Sequence, residues 1–243
     1  MNKLSDPSRP VVSLNEPKKY ANANFVPVHQ SNGPEQPLVL SYLGLRKAVG
    51  IIGFALPFVL AIGRALLQGA GLEGSISYYY YTDMGNVFVG SLCAIGVFLL
   101  STRGYDRRDA IAGRLACVFA IGVALFPTRP YPVATSTEIC IGYIHWSCAA
   151  LLFLTLAYFC LKLFTKKDPN NVTPRKQQRN KVYRFCGWTI LTCIALIPIT
   201  KIPAVGTAVD RIQPIFWLES ISIVAFGFAW LTKGETILKD TEP

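Results

Sequence analysis

Six long apolar blocks, separated by short polar segments, make up most of this 243-residue sequence. Each block holds roughly 16 to 24 residues, close to the ~20 residues that a helix needs to cross the hydrocarbon core of a bilayer. Charged residues make up 16% of the chain, whereas a soluble domain has about 25%. Continuous apolar runs do not fit the alternating pattern of a membrane β-barrel, so the sequence predicts an all-α membrane protein.

The predicted architecture is one bundle of six transmembrane helices. The spans are expected at residues 48–67, 84–101, 110–127, 141–164, 182–200 and 212–232. The fifth is the weakest because Arg184 interrupts its apolar run. Residues 1–36 are rich in Asn, Ser, Pro and charge, which predicts a disordered polar tail. The transmembrane domain then covers 37–236, beginning with an interfacial turn at 37–47, and residues 237–243 form a C-terminal tail.

The distribution of Lys and Arg predicts the orientation of the bundle. Seventeen lie in the tails and in the segments after spans two and four, whereas the three opposite segments hold only Arg129, Lys201 and Arg211. Because positive residues stay on the cytoplasmic side, both termini are expected in the cytoplasm. The net charge of +10 is explained by these flanking residues, so we do not predict binding to nucleic acid.

No motif of a soluble enzyme occurs in the sequence: P-loop, GxGxxG, GxSxG and HExxH are all absent. There are two histidines, and His29 lies in the polar tail, which excludes a three-histidine zinc site within the membrane. Seven cysteines occur without a CxxC pair, so neither a disulfide framework nor a zinc site is indicated. We therefore predict no metal and no cofactor.

The remaining candidates are polar residues near the predicted outer ends of spans two, four and six. The predicted topology brings these three ends into the same leaflet, although it does not show that their side chains touch. The candidate ligand-binding residues are Ser77, Asp83, Asn86, His145, Glu219 and Ser222.

Glu219 is the most informative candidate. It lies about seven residues inside the sixth predicted span, near 10 Å deep at 1.5 Å per residue. A carboxylate at mid-membrane costs on the order of 2.5 to 3.5 kcal/mol, so such a residue normally has a partner. Two interpretations stay open: Asp83, His145 and Glu219 line an outward-facing polar pocket, or they form an interhelical hydrogen-bond clamp.

Individual residues also have simpler interpretations. Asp83 alone could be a helix N-cap or a solvated loop carboxylate, and His145 alone could bond to a neighbouring helix. Arg64 lies at an outer end where positive charge is sparse, which suggests a fixed partner such as Asp83 or Glu219.

Three functions remain open on the sequence. The first, favoured by the absence of a catalytic motif, is a non-enzymatic protein that binds a lipid headgroup or small polar solute. The second is a membrane-embedded hydrolase with Asp83, His145 and Glu219 as acid and base groups and Ser77 or Ser222 as nucleophile. The third is a small transporter or channel subunit. The expected partners are membrane lipids, with either a homo-oligomer or a partner membrane protein left open.

The stretches SISYYYYTDMGNVFVGSLCAIGVFLL and GYDRRDAIAGRLACVFAIGVALFPT resemble an uncharacterised family of bacterial six-span membrane proteins. The resemblance continues in HWSCAALLFLTLAYFCLKLFTK and IFWLESISIVAFGFAWLTKGE, and it covers most of residues 44–236. A more distant likeness is to six-span proteins of the Frag, DRAM and Sfk type. The closer resemblance implies the fold and a bacterial inner-membrane location, but no activity.

Overall fold

The computed structural model describes residues 35–101, 106–166 and 173–237, and within these ranges all regular structure is helical. The chain divides into two units, Met1–Gln36 and Pro37–Pro243. The predicted tails lie almost entirely outside the described residues, so they stay predictions.

Seven α-helices occur in the described part of the chain. They are α1 Glu35–Gln68, α2 Gly85–Ser101, α3 Arg107–Leu125, α4 Ser136–Tyr158, α5 Pro174–Leu196, α6 Pro203–Val209 and α7 Pro214–Lys233. Every predicted span coincides with one of the six longer helices, which confirms the all-helical class. The interfacial turn expected at 37–47 is wrong, because α1 continues through that segment. Pro37 falls in the first turn of α1, where a missing N–H does not break a helical hydrogen bond.

Four helical segments are long and apolar enough to cross a membrane. They are Tyr42–Gln68, Ser136–Leu163, Pro174–Lys201 and Pro214–Lys233. α2 is apolar but has only 17 residues, and α3 carries four charged residues in its first half. Large apolar side chains such as Phe58, Phe185 and Trp188 are exposed on the helices, as expected for contact with lipid. These features indicate a multi-pass membrane protein.

Glycines allow α1 and α7 to approach closely. A Cβ atom at Gly227 would lie 2.8 Å from the carbonyl oxygen of Gly50, and one at Gly50 would lie 2.8 Å from the backbone nitrogen of Leu231. Real side chains do not tolerate such distances to backbone atoms, so these positions require glycine. The contact places the first and last long helices side by side.

A short 3-10 helix, Ile76–Tyr81, connects α1 to α2, and we call it the tyrosine turn. It lies at the same end of the bundle as the α3–α4 and α5–α7 connections. The Tyr81 hydroxyl donates to the carbonyl oxygen of Thr128 at 2.6 Å, and the Phe216 N–H donates to the carbonyl oxygen of Gly74 at 3.2 Å. We call this end of the bundle the turn end.

The opposite end of the bundle is joined by an ionic contact. Lys166 follows the π-helical segment Phe159–Leu163 that continues α4, and its Nζ lies 3.0 Å from Asp106 and 2.9 Å from Asp109 at the start of α3. Asp106 also caps α3, and its hydrogen bond with Lys166 holds the pKa of its carboxyl group below the ordinary value. This contact fixes the spacing of the α3 and α4 termini.

Candidate functional site

The tyrosine turn is the centre of the candidate site. Ser75 caps it, because its Oγ accepts a hydrogen bond from the Ser77 N–H at 3.1 Å. Ile76, Ser77 and Tyr79 are buried, so this face of the turn packs into the bundle. The Tyr79 ring packs against Phe216 of α7 with a centroid separation of 6.2 Å.

Glu219 of α7 holds the beginning of the turn. Its Oε2 accepts a hydrogen bond from Ser75 Oγ at 2.7 Å and another from the Ile76 N–H at 2.7 Å. The first N–H groups of any helix lack intrahelical acceptors, and negative charge near them is favourable. The carboxylate therefore supplies a hydrogen-bond acceptor for the first N–H of the tyrosine turn. In return, the turn supplies the hydrogen-bond donors that a carboxylate in an apolar helix needs.

His145 of α4 holds the turn from a different helix. Its Nδ1 lies 2.6 Å from the carbonyl oxygen of Phe126, and its Nε2 lies 2.9 Å from Ser77 Oγ. A carbonyl oxygen can only accept, so Nδ1 must carry the proton. In the neutral ring Nε2 then accepts from the Ser77 hydroxyl. The imidazole is only 1% exposed, so both of its nitrogens depend on these partners.

Three of the predicted site residues, Ser77, His145 and Glu219, thus meet at the tyrosine turn. Glu219 contacts Ser75 and Ile76, whereas His145 contacts Ser77. Within the described residues no hydrogen bond joins Glu219 directly to His145. Glu219 and His145 therefore connect α7 and α4 through the tyrosine turn and not by a direct contact.

The other three predicted residues lie outside this network. Asp83 and Asn86 are exposed. Thr82 Oγ1, and not Asp83, accepts from the Met84 N–H at 3.2 Å, so the exposed Asp83 is left as a solvated carboxylate. Ser222 is buried, but its hydroxyl donates to the Leu218 carbonyl oxygen of its own helix at 2.8 Å.

The suggested partners of Arg64 are wrong. Its guanidinium pairs with Glu73, which lies in the segment between α1 and the tyrosine turn. Both side chains are partly buried, so the pair closes this segment against the end of α1. The sequence position of Glu73 in a short loop gave no indication of this contact.

An inner cavity of about 50 Å³ lies beneath the tyrosine turn. Ser77 and Glu219 lie at its wall, and its other lining residues are apolar, among them Phe88 and Leu92 of α2 and Leu152 and Phe153 of α4. The cavity therefore joins the polar network to the apolar interior of the bundle.

A larger, open depression of about 900 Å³ lies at the turn end, and we call it the bowl. The tyrosine turn, the α3–α4 connection and the α5–α7 connection form its walls. Its polar and aromatic lining includes Tyr78, Tyr81, Tyr131, Lys201, Asp210 and Gln213. Burial raises the pKa of Tyr78, so its phenol remains neutral at physiological pH. Both signs of charge are thus present around one depression.

Comparisons with protein-family models, curated proteins and solved structures find no match to this chain. The resemblance to a bacterial six-span family therefore stays a prediction. No group of three His, Cys, Asp or Glu residues placed to hold a metal ion occurs in the three ranges that the structure describes.

Sequence reasoning did not identify the residues of the bowl. They come from three connections that are far apart in the chain, and each segment looks like an ordinary loop. One signal was present, because Lys201 is among the few cations in the predicted outer segments. The row of tyrosines at 78–81 was another, although such residues also form the aromatic belt of any membrane protein.

Proposed function

We propose that this chain is a six-span membrane protein that binds a small polar solute or a lipid headgroup in the bowl. The bowl carries the proposal, since it is a large depression with polar side chains from several separate segments. A volume of about 900 Å³ lies within the ~300–1,000 Å³ range of small-molecule sites. The tyrosine turn, pinned by Glu219 and His145, gives the bowl a rigid wall.

The proposed orientation has both termini in the cytoplasm and the bowl on the outer side of a bacterial inner membrane. Its support is the charge bias: the predicted outer segments hold three Lys or Arg residues and the predicted inner ones hold seventeen. The resemblance to a bacterial family supports the choice of membrane. Under this orientation the bowl is open to solutes outside the cell and to headgroups of the outer leaflet.

The lining of the bowl favours a ligand that carries both charges. Lys201 can pair with a phosphate or carboxylate, and Asp210 can pair with an ammonium group. The phenols of Tyr78 and Tyr81 add hydrogen bonds and ring faces that attract cations. A phosphoethanolamine group has this chemistry, and it could come from a phospholipid or from a soluble glycerophosphodiester.

The test measures binding of glycerophosphoethanolamine to the purified full-length protein by isothermal titration calorimetry. We expect Lys201→Gln and Asp210→Asn each to weaken binding by at least about tenfold, because a charged hydrogen bond contributes about 1.5–3 kcal/mol. Arg211→Gln is the matched control: Arg211 is exposed beside Asp210 but does not line the bowl, so its loss should leave affinity unchanged.

A second arm distinguishes the two sources of the ligand. Native mass spectrometry of protein released from nanodiscs would show retained phosphatidylethanolamine if the ligand is a lipid, and the soluble compound alone would bind if it is a solute. The proposal is overturned if neither form binds, or if the Lys201 and Asp210 variants bind as well as the Arg211 variant.

A further inference from the structure

The Ser77 hydroxyl does not cap the tyrosine turn, and its recorded partner is a side chain of another helix. Ser75 caps the tyrosine turn and Glu219 accepts from the Ile76 N–H, so the backbone at the start of the turn does not use the Ser77 hydroxyl as an acceptor. In the described part of the chain, the hydrogen bond recorded for Ser77 Oγ is the one to His145.

His145, which bonds to this hydroxyl, is positioned to act as a general base. The Phe126 carbonyl fixes the proton of His145 on Nδ1, which leaves Nε2 as an acceptor 2.9 Å from Ser77 Oγ. This separation is within the ~2.6–3.2 Å that proton transfer from a nucleophile requires, and a third group orients the base. The backbone carbonyl takes the orienting position that a carboxylate occupies in a Ser-His-Asp triad.

Ser77 also faces a space that a substrate group could occupy. It lines the inner cavity, whose volume of about 50 Å³ exceeds the ~10–15 Å³ that one water needs. The volume is far below that of a pocket for a whole lipid chain. Since the remaining wall is almost entirely apolar, the cavity suits a small apolar acyl group attached to the reacting carbonyl.

We propose that Ser77 is a nucleophile and His145 its general base, and that together they cleave esters of small apolar acyl groups. Ser77 Oγ forms a bond to the carbonyl carbon, and its proton passes to His145 Nε2. The ester C–O bond then breaks, and the alcohol leaves with that proton. Water, activated by the same nitrogen, hydrolyses the acyl-serine and restores the Ser77 hydroxyl.

The test treats purified full-length protein with a small dialkyl fluorophosphate and locates the adduct by peptide mapping. We expect modification of Ser77 in the wild-type protein, and a burst of p-nitrophenol from p-nitrophenyl butyrate that p-nitrophenyl palmitate does not give. His145→Gln should slow labelling at least 100-fold, because general-base catalysis contributes about 10²–10⁴-fold.

Ser222→Ala is the matched control, since this buried hydroxyl donates within its own helix and should not affect labelling. Size-exclusion profiles and thermal midpoints show whether each variant is folded. The wild-type map decides the question even if a variant misfolds: an unmodified Ser77 peptide, or an adduct on another residue, would overturn the proposal.

Discussion

Glu219 shows how a carboxylate, which is energetically unfavourable in hydrocarbon, is accommodated in an apolar helix. A carboxylate in hydrocarbon needs donors, and the first turn of a helix needs acceptors. The structure places these two requirements together, with Ser75 Oγ and the Ile76 N–H both at 2.7 Å from Glu219 Oε2. The same residue also lines the inner cavity, so it borders the space next to Ser77.

Replacing this carboxylate should destabilise the protein. Glu219→Gln keeps the size of the side chain but removes the charge that both donors face, and we expect a loss of about 1–3 kcal/mol in the free energy of unfolding. Thermal unfolding in detergent, followed by tryptophan fluorescence, measures it. Asp83→Asn is the control, because this exposed carboxylate should change stability by less than about 0.5 kcal/mol. Equal effects of the two variants would contradict the role given to Glu219.

At the level of helices, close packing depends on glycines, which have no side chain to separate two backbones. The contact between α1 and α7 is close because Gly50 and Gly227 bring the two backbones together. Lys166, by contrast, joins α3 and α4 from their termini through long polar side chains. The first kind of contact is sensitive to a single methyl group, whereas the second can adjust.

Gly227→Ala should therefore destabilise the helix pair. The added methyl group would lie 2.8 Å from the Gly50 carbonyl oxygen, and separating the helices to relieve this costs about 1–3 kcal/mol. Gly90→Ala on α2 is the matched control, since nothing lies within 4 Å of its added Cβ, and alanine favours a helix by about 1 kcal/mol over glycine. Thermal midpoints in detergent compare the two variants. A Gly227→Ala protein with an unchanged thermal midpoint would refute the close approach of α1 and α7.

For the molecule as a whole, the proposed orientation rests on the distribution of charge. The bowl lies at the turn end, and Lys166 with its carboxylate partners lies at the opposite end. If the charge bias sets the orientation as proposed, the turn end is outside the cell and the Lys166 end is in the cytoplasm.

A cysteine-labelling experiment tests this orientation. Cys140 is exposed in the first turns of α4 at the turn end, so a membrane-impermeant maleimide should label it in intact cells. Gln177→Cys, in a Cys140→Ser background, places an exposed thiol near the start of α5 at the opposite end and should react only after permeabilisation. The reverse pattern would show that both the orientation and the outward bowl are wrong.

The sequence by itself determined which segments are helical. Backbone groups in hydrocarbon must pair within their own segment, so a long apolar run implies a helix whatever its neighbours are. That requirement is local, which explains why six helices agree with six apolar blocks. Two local differences remain: a turn was predicted at 37–47, where α1 continues, and the short helix α6 was not predicted.

Only the tertiary structure decided which polar groups meet. Ser75 and Glu219 are 144 residues apart, and Ser77 and His145 are 68 apart. Their contacts depend on how each helix is rotated and on the tyrosine turn packing into the bundle, which no periodicity encodes. The same holds for Asp83, which is exposed outside this network, and for the bowl, whose walls come from three distant connections. Hydrogen bonds within a helix join residues that are close in the sequence, so the sequence predicts them. Hydrogen bonds between helices depend on how the helices pack, which only the tertiary structure shows.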